Sequence, residues 1–172
     1  MDGSIQVYYG NGRGKTTAAL GLGIRAAGVG KQVIMVQFLK KKHSDTLDFL
    51  KKLEPELQIF RFEKAACGYS DLSPKEKQEQ MLNIKNALGY SRKVLDTGQC
   101  DLLILDEIFG LVDYNIITIE ELMDLIAVKK DSMDLILTGR NLPDEVREIA
   151  DGVYSIQREK EKTPEILAQG NF

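Results

Sequence analysis

Between Ile5 and Leu20 the chain passes from an apolar run of strand length, through Gly10-Asn11-Gly12-Arg13-Gly14, into an Ala- and Leu-rich stretch that opens with Lys15-Thr16-Thr17. Few folds accept that succession. A strand, a tight glycine turn and a helix in immediate sequence converge several backbone N–H groups and a helix N-terminus on one point, where phosphate oxygens bind. Glycines in the turn permit torsions and close approaches that a Cβ blocks. Lys15 adds a point charge for phosphate, and the Thr16 hydroxyl is placed to ligate magnesium. The whole segment, Gly10, Asn11, Gly12, Arg13, Gly14, Lys15, Thr16 and Thr17, is the expected ATP-binding loop. The general pattern asks for glycine at position 9; Tyr9 stands there, with Gly10 one step later.

The rest of the chain repeats the same alternation. Strands are expected at Ile5–Tyr9, Val33–Phe38, Leu57–Phe62, Leu102–Asp106, Leu135–Thr138 and Val153–Ile156, several of them apolar throughout, as strands covered on both faces are. Helices are expected over Lys15–Ala27, stopping at Gly28 and Gly30. A long one runs from Ser73-Pro74-Lys75-Glu76 toward Asp96, a third from Thr118-Ile119-Glu120-Glu121 to about Val128, and a short one from Pro143 and Asp144 to near Ala150. Ser73/Glu76 and Thr118/Glu121 each have capping-box spacing. The pattern is an α/β fold of the P-loop NTPase (RecA-like) kind, a mainly parallel sheet flanked by helices. Residues 1–158 form one domain, and 159–172 a tail that is a candidate cover for the substrate site.

A second strand end completes the nucleotide site. Leu102-Leu103-Ile104-Leu105 carries the chain through the sheet and delivers Asp106 and Glu107 at its C-terminal edge, where carboxylates hold Mg²⁺ directly or through water. Thr16, Asp106 and Glu107 are the expected metal set. Leu137-Thr138-Gly139-Arg140 ends a later strand at the same edge, so Arg140 is placed to meet a phosphate or the second substrate, with a surface ion pair as the alternative. Lys40-Lys41-Lys42 also follows a strand end, and phosphate contact and plain solvation both remain open there. Gln157-Arg158-Glu159-Lys160-Glu161-Lys162 alternates in charge and reads as a solvated extension.

Composition narrows the classes further. The 172 residues carry 23 basic and 26 acidic side chains, a net charge of −3, which gives no general attraction to nucleic acid or anionic membrane. No apolar run approaches the roughly 20 residues that cross a bilayer, and the N-terminus lacks a secretory layout, so the expected location is cytoplasmic. Cys67 and Cys100 are far apart and read as packed side chains rather than a zinc or disulfide framework. The single histidine, His43, reads as a loop residue, and no Ser/His/Asp or Cys/His constellation can be built on it.

These residues resemble the ATP:corrinoid adenosyltransferases of the cobalamin pathway, the cob(I)yrinic acid a,c-diamide adenosyltransferase type. Val7-Tyr8-Tyr9-Gly10-Asn11-Gly12-Arg13-Gly14-Lys15-Thr16-Thr17-Ala18-Ala19 is similar to that family's opening, including a shortened loop that accounts for Tyr9. Val36-Gln37-Phe38-Leu39-Lys40, Leu105-Asp106-Glu107-Ile108, Val112-Asp113-Tyr114, Leu137-Thr138-Gly139-Arg140 and Ala168-Gln169-Gly170 follow in the family's order, so the resemblance spans nearly the whole chain. It implies that a corrinoid Co(I) attacks the 5′ carbon of ATP and releases triphosphate, with ATP reversed on the loop relative to ordinary NTPases. Lys15, Thr16 and Glu107 are then the catalytic residues, acting on the triphosphate with magnesium. The resemblance further implies a corrinoid substrate, a flavoprotein or other reductant as the source of Co(I), and a homodimer. Cys67-Gly68-Tyr69-Ser70-Asp71 aligns with the family's aromatic segment, which makes Tyr69 the expected apolar wedge below cobalt. The chain has no tryptophan for that segment, and ahead of Ala168-Gln169-Gly170 it carries Lys160–Glu165 where the family usually has a Lys-His-Phe-like stretch and a glycine.

Two other readings share the same loop and carboxylates: a P-loop kinase or phosphoryl transferase on a small substrate, and a non-catalytic ATP-dependent switch. Products separate them. Adenosyl transfer leaves triphosphate, phosphoryl transfer leaves ADP, and a switch leaves neither.

Overall fold

A computed structural model describes residues 2–40, 50–62 and 69–160. Six strands form one sheet: β1 (Ile5–Tyr9), β2 (Val33–Gln37), β3 (Leu57–Phe60), β4 (Leu102–Asp106), β5 (Asp134–Gly139) and β6 (Gly152–Ser155). Their order is β3-β2-β4-β5-β1-β6 and every pairing is parallel. All six C-terminal ends therefore lie along one edge.

Helix α1 (Lys15–Gly28) covers one face of the sheet; α2 (Pro74–Thr97), α3 (Ile108–Asp113), α4 (Ile119–Ala127) and α5 (Asp144–Ile149) supply side chains to the other. Alternate residues of the central strands divide between the two layers. Val33, Met35, Leu102, Ile104 and Ile136 pack with Ala19 of α1, whereas Ile34, Val36, Leu103, Leu105, Leu135 and Leu137 pack with Ile84, Leu95, Leu122 and Val146. Burial on both faces is why β2 and β4 are apolar along their length.

The helix boundaries have local causes. Ser73 caps α2 with a reciprocal bond to Glu76, Pro74 occupies the first turn, and Gly98 ends the helix at φ 66°. Thr118 and Glu121 form the same box on α4. At the end of α1, Gly28 still belongs to the helix and Gly30 takes the positive φ, 86°.

Apart from strand ends that differ by one residue, such as β2 ending at Gln37 and β6 covering Gly152–Ser155, the structure departs from the sequence reading in three places. β3 stops at Phe60 rather than Phe62, because Arg61 leaves the ladder and donates through Nε to Gln37 Oε1 at 2.7 Å. The short helix α3 was not anticipated; its residues 108–111 are all buried, so it shows no amphipathic period. The beginning of the charged extension is not simply solvated: the Arg158 N–H donates to Asn11 Oδ1 at 3.2 Å. Cys100 is buried as expected, which pushes its thiol up to about 12. His43, Lys41, Lys42, Cys67 and Ala168-Gln169-Gly170 lie outside the described residues.

Helix α3 is held against the sheet edge by a close contact. A Cβ on Gly139, the last residue of β5, would run into the Phe109 side chain. Gly139→Ala is expected to push α3 outward and lower stability by about 1–3 kcal/mol, read as a reduced urea midpoint. An unchanged midpoint would contradict this packing.

Candidate active site

The loop after β1 is braced before it meets any ligand. The Gly10 N–H donates to the carbonyls of Gly139 (3.2 Å) and Arg140 (3.0 Å), and the Gly12 N–H donates to Ile156 O at 2.9 Å. Gly10 takes φ 124°, a torsion of the kind expected of the loop glycines, and both Gly10 and Gly12 have a close neighbour that the sequence did not indicate. A Cβ on Gly10 would strike Ile156 O, and one on Gly12 would lie 2.8 Å from it, so both are small because the chain leaving β6 passes beside them. Gly14 is the glycine that faces open space: it takes φ 109° at the N-cap of α1, and a Cβ there would meet nothing within 4 Å. No acidic residue occupies the first turn of α1, so its N-terminal amides and dipole remain suited to an anion. Asn11, Arg13 and Thr17 are exposed around this mouth.

Lys15 folds back over the loop, its Nζ donating to Gly10 O (2.8 Å) and Gly12 O (2.9 Å). Burial holds its pKa below the ordinary lysine value; the charges of Arg140 and Lys40 push the same way, opposed by Glu107 and Asp106. Two carbonyl contacts are a weak substitute for a polyphosphate, so the ammonium is poised for an anion.

Asp106 is fully buried and its carboxylate collects donors from three elements. Thr16 Oγ1 lies 2.9 and 3.0 Å from its two oxygens, Thr138 Oγ1 donates at 2.7 Å, and Gln37 Nε2 donates at 3.0 Å. Gln37 is in turn oriented by Arg61. Thr138 also accepts the Glu107 N–H at 2.9 Å, while Glu107 itself adopts a left-handed φ of 62° where β4 turns into α3. Asp106 and Glu107 are adjacent in sequence and different in setting. The first is tied down on both oxygens; the second lines an open cavity of about 430 Å³.

That cavity lies beside the loop. Its wall includes Lys40, Tyr69, Glu107, Tyr114, Arg140 and Asn141. Tyr69 and Tyr114 meet with ring centroids 5.3 Å apart, and Lys77 of α2 lies 5.7 Å from the Tyr69 ring. The cavity thus has an aromatic side and a charged side.

The edge also accepts a cation. Lys40 Nζ stands 3.1 Å from Thr16 Oγ1 and 3.5 Å from Asp106 Oδ2. Hard oxygen donors of this kind suit magnesium, and the remaining ligands in such sites come from phosphate and water. Among the described residues, no group of three His, Cys, Asp or Glu side chains is placed to hold a metal ion.

Lys15, Thr16, Asp106, Glu107 and Arg140 therefore come together at one edge, and Tyr69 joins them across the cavity. Gln37, Arg61 and Thr138 received no role from sequence. Gln37 and Thr138 were detectable as lone polar residues at the ends of apolar strands; Arg61 carried no comparable signal.

The family model for ATP:corrinoid adenosyltransferase BtuR/CobO/CobP matches residues 1–169. The corrinoid adenosyltransferase of Escherichia coli (strain K12) is 30% identical over 155 residues, covering 90% of this chain and 76% of that protein. The corrinoid adenosyltransferase CobA of Salmonella typhimurium (strain LT2) shows the same identity and coverage. Among solved structures, a KaiC-like protein from Pyrococcus horikoshii OT3 superimposes with a TM-score of 0.58 at 20% identity, over 94% of this chain and 75% of that one, a likeness of P-loop fold. The phosphate loop, the second carboxylate edge and the match over nearly the whole length agree: the chain belongs to the ATP:corrinoid adenosyltransferases, which transfer the adenosyl group of ATP to corrinoid cobalt.

Proposed function

We propose that ATP lies with its triphosphate against the Gly10–Thr17 loop, and that the corrinoid enters the 430 Å³ cavity beside it, with Tyr69 and Tyr114 on its apolar side. The observation that carries this reading is the shared wall: Lys40, Glu107 and Arg140 line the cavity, and the charges of all three also act on Lys15. The reacting atoms are then brought together by position.

The chemistry asks little of protein nucleophiles. The electron pair of Co(I) forms the cobalt–carbon bond to C5′ as the C5′–O bond breaks, and that bonding pair departs on the triphosphate oxygen. No proton is removed from the nucleophile, so no general base is required. What the chain supplies is charge at the departing triphosphate: Lys15 turns from its two loop carbonyls to phosphate oxygens, and the free amides at the start of α1 add their dipoles. Magnesium would be held by the Thr16 hydroxyl and the Glu107 carboxylate and would supply positive charge at the same place. Asp106, whose own oxygens are already engaged, positions the Thr16 hydroxyl for it.

Arg140 is assigned to the phosphate or corrinoid periphery, and Asn11, Arg13 and Thr17 to the outer contacts of the nucleotide. Cob(I)yrinic acid a,c-diamide is proposed as a substrate, a flavoprotein or other reductant as the source of Co(I), and a homodimer as the assembly, all on the family resemblance. Residues 1–158 are proposed as the catalytic domain and 159–172 as a tail over the substrate site. A cytoplasmic location is proposed on the sequence alone. No helix among the described residues is long and apolar enough to cross a membrane.

Incubation with ATP, magnesium and chemically reduced corrinoid tests the reaction: growth of the alkyl-cobalt absorbance with equimolar triphosphate is expected, whereas ADP would support a phosphoryl transferase. Lys15→Ala is expected to weaken ATP binding about tenfold or more, as loss of a charge-assisted bond to phosphate implies, and calorimetry reads it directly. Glu107→Gln should raise the magnesium needed for half-maximal turnover, and overlaid magnesium titrations would leave Glu107 as a strand cap. Tyr69→Ala should diminish the four-coordinate Co(II) spectrum formed with ATP bound; a signal of undiminished strength would remove Tyr69 as the wedge.

A further inference from the structure

We propose that Lys40 is a built-in counter-ion that occupies the magnesium position in the nucleotide-free site and exchanges with the metal when ATP binds. The proposal rests on the nucleotide half of the reading above and is independent of the corrinoid half.

Its basis is an oxygen that both cations would share. Thr16 Oγ1 spends its hydrogen on Asp106, and the Lys40 ammonium donates to it at 3.1 Å. A metal bound by that hydroxyl would stand within a few ångströms of the ammonium. Lys40 Nζ is also 3.5 Å from Asp106 Oδ2, and Asp106 is fully buried, where an uncompensated carboxylate is costly. The chain has arranged for this contact. Leu39, just before Lys40, takes a left-handed φ of 55°, uncommon for a branched residue, and its side chain packs on Gly110 so closely that a Cβ there would lie 2.6 Å from Leu39 Cδ1. The turn aims Lys40 back at β4 rather than out along the strand.

Magnesium and an ammonium on the same Thr16 oxygen are two cations a few ångströms apart and repel each other, so they are mutually exclusive there. The displaced side chain has somewhere to go. It is 27% exposed on a flexible four-carbon stem and lines the cavity with Glu107 and Arg140, within reach of a triphosphate on the neighbouring loop. Lys40 thus keeps Thr16 and Asp106 in register while the site is empty, then becomes a phosphate cation. Without magnesium it stays beside Thr16 and, in the metal's place, offers its charge to the phosphates of a bound ATP.

The test is ATP binding by calorimetry with the full chain, in EDTA and across a magnesium titration, for the native protein, Lys40→Met and Lys40→Arg. Lys40→Met is expected to bind ATP about tenfold more weakly in EDTA, the loss of one charge-assisted phosphate contact, and to need several-fold less magnesium for half-maximal ATP binding. Lys40→Arg should restore the EDTA affinity. Equal affinities and overlaid magnesium curves for Lys40→Met would overturn the proposal, and so would a raised magnesium requirement, which would make Lys40 a helper of the metal rather than its competitor. Should Lys40→Met fail to fold by circular dichroism, Lys40→Gln, which keeps a donor to Thr16 without the charge, carries the same expectations. A native chain that binds no ATP under either condition would instead overturn the nucleotide reading, and is told apart by that control.

Discussion

The buried carboxylate of Asp106 is the interaction on which the rest of the edge depends. Taking such a charge out of water costs several kcal/mol unless donors and a cation replace the lost solvent. Here the replacements come from Thr16 of α1, Gln37 of β2, Thr138 of β5 and Lys40 after β2. One side chain therefore registers α1 and three neighbouring strands against each other. Because Thr138 also accepts the Glu107 N–H, the same node sets where the cavity's carboxylate begins.

On the proposed reading, this arrangement lets the Gly10–Thr17 loop and a cavity with aromatic lining work as one site. The loop is fixed from below by the ends of β5 and β6, through Gly139, Arg140 and Ile156, and fixed from the side by Asp106. What stays adjustable are the long cations: Lys15 on its own loop carbonyls, Lys40 on Thr16, and Arg140 at the exposed rim. A transfer in which charge accumulates on a departing triphosphate is served by mobile cations on a rigid frame, and requires no proton relay.

Much of this was legible from residue order. The strand-turn-helix of Ile5–Leu20, the capping boxes at Ser73 and Thr118, and the apolar run delivering Asp106 each follow from rules that act over a few residues, and the elements they specify are present. The departures arise where tertiary contacts decide. Gly12 was expected to make room for phosphate, and what residue order did not show is that it also makes room for Ile156, distant in sequence. Asp106 and Glu107 arrive together at one strand end, but only the fold brings Thr138 and Gln37 to the first and leaves the second facing a cavity. α3 was hidden because a helix of one or two turns whose first four residues are all buried shows too little polar face to give it a period.

The account stands most directly on Asp106→Asn, with urea unfolding and ATP titration measured on the same preparation. The amide replaces an acceptor with a donor that must face Thr16, Thr138 or Gln37, all already donating. A loss of about 1–3 kcal/mol in stability, as an unsatisfied buried group costs, together with weakened ATP binding, is the predicted result. A variant with native stability and native ATP affinity would contradict the claim that this carboxylate organises the site.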